Sequence, residues 1–119
     1  MRREDMTVTD MLAELYSTPE GRAEAVEVAK CIQTANAAHA MLQGSGMSVR
    51  EVARASGGRL TARDVEKLCV GNRTFPLSDD DMDNLSVMAE LCGFVEPEFT
   101  KGEVDYKITV RPRRKGLEG

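Results

Sequence analysis

The sequence predicts a mainly α-helical protein that closes with a β-strand. Three observations predict it. Ser or Thr stands at helix-starting positions before runs whose apolar residues recur at three- and four-residue spacing. Glycines close those runs, as at Gly46, Gly71 and Gly93. Only residues 104–110, VDYKITV, alternate strictly. Val104, Tyr106, Ile108 and Val110 stand against Asp105, Lys107 and Thr109, the pattern of a half-buried strand.

The elements follow in order. Thr7 and Asp10, three apart before MLAELY, open a short helix whose apolar side is Met11, Leu12 and Leu15. Thr18 caps a long helix over roughly 19–43, with Pro19 at the first helical position and Glu20 in the first turn. Its apolar stripe is expected at Ala25, Val28, Ala29, Ile32, Ala35 and Ala38, mostly small residues that admit a close neighbour. Ser48 and Glu51 form a capping box for the next helix, whose inner face is Val52, Ala53 and Ala55. Ser56-Gly57-Gly58 breaks it and Leu60 turns inward. Thr61 caps a further helix with Val65 and Leu68 inside and Gly71 at its end. After the loop Asn72–Pro76, Ser78 caps the last helix, with Asp79, Asp80 and Asp81 as a solvated first turn. Met82, Leu85, Met88, Ala89 and Cys92 line one side.

Composition bounds the function. The 119 residues suit one compact domain with extra structure at its ends. Aromatics are 4% and Trp is absent, so the core is aliphatic, with methionines as fill; a small core of that kind gains from dimerisation. The net charge of −4 argues against a general nucleic-acid coat protein but leaves room for a specific reader. No apolar run approaches the roughly 18 residues of a membrane span, and none follows Arg2-Arg3 as a leader would require, so a cytoplasmic protein is expected. Cys31, Cys69 and Cys92 are odd in number and far apart, and His39 is the only histidine. Free buried thiols are expected, with no metal and no cofactor. No enzyme is expected either: His39 has no partner pattern for nucleophilic catalysis, and the glycine-rich stretches are helix breaks rather than phosphate cradles.

Two short helices joined by a glycine turn and followed by a longer capped helix form a helix-turn-helix pattern. Residues 38–94 resemble the Cro/repressor-type helix-turn-helix domain, also called the xenobiotic-response-element family. The matching residues are Gly46-Met47-Ser48, Val52-Ala53, Gly57, Val65, Leu68, Gly71 and Pro76, then Met82, Leu85, Ala89, Leu91 and Gly93. The long preceding helix, opening TPEGRAEAVEVAK, and the closing VDYKITVRPR look like antitoxins of the HigA type, in which a strand after the domain can pair between subunits. The resemblance implies a five-helix-type DNA-binding domain over residues 38–95. An N-terminal helical extension would occupy 1–37, and a C-terminal strand and basic tail 96–119.

It also implies a site. The helix at about 61–70 would enter the major groove with Ala62, Arg63, Glu66 and Lys67 outward; Arg63 suits guanine and Glu66 suits cytosine. Thr61, Asn72, Arg73 and Thr74 fall where the family holds phosphates. Arg50 and Arg59 would add backbone contacts. The tail residues Arg111, Arg113, Arg114 and Lys115 could follow the backbone or enter a minor groove. Three departures stand out. Val49 and Ala62 replace glutamines common in the family, and the turn SGGRL is about two residues longer. Residues 41–95 carry six basic against eight acidic side chains, a poor balance for non-specific binding.

The expected function is a homodimeric, sequence-specific regulator of double-stranded operator DNA, its reading helices about 34 Å apart. The long helix, the 104–110 strand, or both would make the dimer, since an unpaired strand is an exposed edge. Two alternatives share the sequence: an antitoxin that autorepresses its operon and binds a basic toxin, or a helix-turn-helix that binds only a protein such as the transcription machinery.

Overall fold

The computed structural model describes residues 17–71 and 77–113. Among them are four helices: α1 (Pro19–Ser45), α2 (Val49–Ala55), α3 (Ala62–Val70) and α4 (Asp79–Leu91). Two strands, β1 (Glu98–Lys101) and β2 (Tyr106–Thr109), form an antiparallel sheet. The short helix expected after Thr7 lies outside the described residues.

Local chemistry sets the helix ends. The Thr18 side chain accepts from the Gly21 amide at 2.9 Å, and α1 runs on to Gly46, whose φ of 72° no side chain with a Cβ adopts easily. Ser48 with Glu51, Thr61 with Asp64, and Ser78 with Asp81 each form a reciprocal capping box at the starts of α2, α3 and α4. After α4 the Phe94 amide reaches back to the Ala89 carbonyl at 2.8 Å across Gly93, a Schellman closure.

α1 is one continuous helix that crosses residues 37–38 and serves as the backboard. It packs against α3 and α4 on one side and against β2 on another. Cys31, Thr34, Ala35, Ala38 and Met41 are buried. The expected stripe is therefore rotated: Ile32 is 47% exposed. Periodicity favoured Ile32 because it is large and apolar. The packed side does use small residues, as expected, and they let α3 come close enough that a Cβ on Gly71 would stand 3.0 Å from that of Ala35. Ala55 of α2 is likewise exposed, and Val52 alone on that helix is buried. Met41, Val52, Val65, Leu68, Leu85 and Met88 meet in the centre, fully removed from solvent.

The closing strand is not alone. β2 pairs with β1 within the chain, Glu98 opposite Thr109, Phe99 opposite Ile108, Thr100 opposite Lys107 and Lys101 opposite Tyr106. This corrects the expectation of a lone strand. β1 was missed because it is four residues long and follows Pro97, which reads as a break. The alternation of β2 holds, with Ile108 buried and Tyr106 half-buried. Between the Phe94–Pro112 bridge and the Glu98–Thr109 pair the first strand carries one residue more than the second, so the ladder bulges beside Pro97. The hairpin is docked by α1: Gln33 Oε1 accepts from the Ile108 amide at 3.3 Å, and Lys30 Nζ lies 5.8 Å above the Tyr106 ring.

Gly71 holds the end of α3 against α1 with φ 68°. Gly71→Ala combines a left-handed backbone penalty with the Ala35 contact. It should cost about 1–2 kcal/mol in chemical denaturation.

Candidate nucleic-acid interface

α3 is amphipathic by its own spacing. Val65 and Leu68 are buried, while Arg63, Glu66 and Val70 are exposed and Ala62 is half-buried. Both of its ends are fixed. Thr61 Oγ1 accepts from the Asp64 amide at 3.1 Å, and Asp64 Oδ2 accepts from the Thr61 amide at 2.9 Å. At the other end the His39 Nε2–H of α1 donates to the Cys69 carbonyl at 3.1 Å. A ring at that carbonyl satisfies one of the acceptors a helix leaves open. Arg63 and Glu66, three residues apart on the outer face, form no ion pair or hydrogen bond among the described residues.

Lys67 behaves differently from its neighbours. Its Nζ is 2.9 Å from Asp81 Oδ2. Asp81 is a buried carboxylate that also accepts from the Ser78 amide at 2.8 Å and from the Ser78 hydroxyl at 3.1 Å. The same oxygen thus closes the cap of α4 and ties α4 to α3. Burial by itself raises the Asp81 pKa, but the hydrogen bonds from Lys67 and Ser78 outweigh it and hold the carboxyl below its ordinary value. The Asp79–Asp81 turn was expected to be solvated. Asp79 and Asp80 are exposed and Asp81 is not. Its place as the third residue of the helix, three after Ser78, is the signal that marks it.

The remaining candidates are dispersed. Arg50 is exposed in the first turn of α2. Arg59 is exposed in the turn before α3 and shares a cleft of about 300 Å³ with Arg113, Glu90 and Glu96. Arg111 pairs with Glu98 at 3.1 Å on the exposed surface, and Arg113 Nε donates to the Phe94 carbonyl at 3.3 Å. The start of the basic tail is therefore laid on the hairpin base. Asn72, Arg73, Thr74, Arg114 and Lys115 lie outside the described residues. Burial, first of all, raises the thiols of Cys31, Cys69 and Cys92, so they stand protonated at neutral pH and make poor nucleophiles. Among the described residues no helix is long and apolar enough to cross a membrane.

Compared with protein-family profiles, with curated proteins and with solved structures, the chain matches none.

Asp81 links pH to stability. Because its folded pKa is depressed, its contribution is fully present above the ordinary carboxylate value of about 3.9 and is lost as pH falls through the lower folded value. Asp81→Asn should lower stability at pH 7 by about 1–3 kcal/mol and flatten the acid limb of a stability–pH curve.

Proposed function

We propose that this chain is a DNA-binding regulator of the Cro/repressor-type helix-turn-helix class, acting as a dimer with α3 in the major groove. The observation that carries this reading is the outer face of α3. Arg63 and Glu66 project from a helix whose inner face is buried and whose two ends are fastened. Such a helix offers side chains to base edges at little further ordering cost. Arg63 suits the two acceptors of guanine and Glu66 the amino group of cytosine. Exposed Arg50 and Arg59 suit phosphates, and Thr61 stands exposed at the start of α3. Lys67 is assigned to structure rather than readout, because its ammonium is engaged by Asp81.

A second reading has its own observation. Residues 41–95 carry eight acidic against six basic side chains, and the Lys67 ammonium on α3 is engaged by Asp81. That favours a basic protein partner, as in an antitoxin that also represses its own operon.

Fluorescence anisotropy with DNA from upstream of the gene, against scrambled DNA at two salt concentrations, tests the DNA reading that both proposals share, and a pull-down for a basic protein partner then separates them. The regulator binds selectively and more weakly at higher salt. Arg63→Ala should weaken selective binding by about 1–3 kcal/mol and relax preference at one base pair. A module that binds only protein shows no selectivity, and Arg63→Ala leaves it unchanged.

A further inference from the structure

The hairpin has two outer edges, and they are treated differently. On β2 the Ile108 amide points away from β1 and donates to Gln33 of α1. Since Ile108 stands opposite Phe99, that pair is of the kind that exchanges no ladder bonds. The bond from the Gly102 amide to the Asp105 carbonyl, 2.9 Å, gives the same phase at the hairpin end. The amides and carbonyls of Phe99 and Lys101 therefore point outward from β1. Nothing among the described residues receives them, and all four residues of β1 are exposed. Two large apolar side chains are exposed there: Phe99 on the strand, 38%, and Val95 just upstream, 40%. Such an edge is a template for another strand.

We propose that the β1 edge pairs antiparallel with β1 of a second copy of this chain, with the twofold axis at Thr100. The strand selects this register by elimination. Outward residues must meet outward residues, so the axis falls on residue 99, 100 or 101. An axis at Phe99 sets Lys101 against Pro97, which has no amide to donate. An axis at Lys101 sets two ammonium groups directly opposite each other. An axis at Thr100 sets Phe99 against Lys101 of the second copy on both sides. Each of those pairs exchanges two hydrogen bonds. Each ammonium then lies beside a phenyl ring, Thr100 meets Thr100, and the exposed Phe99 rings are covered. The result is a four-stranded sheet flanked by both α1 helices. On β2, the strand the sequence pointed to, the outward Ile108 amide is already taken by Gln33 of α1, whereas no outward group of β1 has a partner among the described residues, and β1 takes the role. Because the contact is short, the dimer depends on concentration. The inference stands without DNA binding and is tested without DNA.

Sedimentation velocity across a concentration series should show a monomer–dimer equilibrium. Thr100→Cys in a Cys69→Ser background should form a reducible dimer under mild oxidation. Facing positions in a pair without ladder bonds lie about 4.5 Å apart, within disulfide reach. Glu98→Cys should not cross-link, because its counterpart is about 13 Å away along the strand. Lys101→Pro removes an outward amide that the hairpin does not use and should abolish the dimer while leaving circular dichroism unchanged. A wild-type chain that stays monomeric at every concentration overturns the proposal. So does a Glu98→Cys variant that cross-links as readily as Thr100→Cys, and the cross-linking result stands even if Lys101→Pro fails to fold.

Discussion

One carboxylate oxygen, Oδ2 of Asp81, ties together α3 and α4, the helices on which the proposed reading surface rests. It closes the start of α4 through Ser78 and fastens α3 through Lys67. A buried charge of this kind is costly unless its lone pairs are filled, and here three donors fill them. α3 is nine residues long, too short to persist on its own. Its order comes from Val65 and Leu68 in the core, from His39 at its last turn and from this tie. The outer face is then free to carry Arg63 and Glu66 without contributing to stability.

The other constraint is the smallness of α1. Alanines, a cysteine and a threonine line the side facing α3, and two glycines complete the fit: Gly71 against Ala35, and Gly44, where a Cβ would come 2.8 Å from the Phe94 ring. Close approach by backbone substitutes for the aromatic bulk the composition lacks. A separate side of the same helix, through Lys30 and Gln33, positions the hairpin. One helix thus fixes both α3 and the sheet edge, which joins the proposed reading surface to the proposed dimer surface through a single rigid element.

Much of this was legible in the sequence because it is local chemistry. Ser48, Thr61 and Ser78 mark their helices with side chains that bond three residues on, and Gly46, Gly71 and Gly93 mark the stops with backbone angles other residues avoid. Val65, Leu68, Leu85 and Met88 are inward by period alone. What escaped depends on partners distant in sequence. Ile32 is set outward because α1 spends its other sides on α3 and β2. β1 is too short to show a period and takes its place by pairing with β2. Lys67 has the spacing expected of an outward residue on α3, and only buried Asp81, fourteen residues on, shows that its ammonium is engaged within the fold.

The claim that Asp81 fastens α3 is tested most directly by a double-mutant cycle of Lys67→Met and Asp81→Asn, with unfolding free energy as the readout. Lys67 is partly exposed, so the pair lies between a surface and a buried ion pair. A coupling of about 1 kcal/mol is predicted. Additive losses, with coupling near zero, would contradict it: α3 would then be held by its apolar face alone, and Lys67 would return to the set of side chains open to DNA.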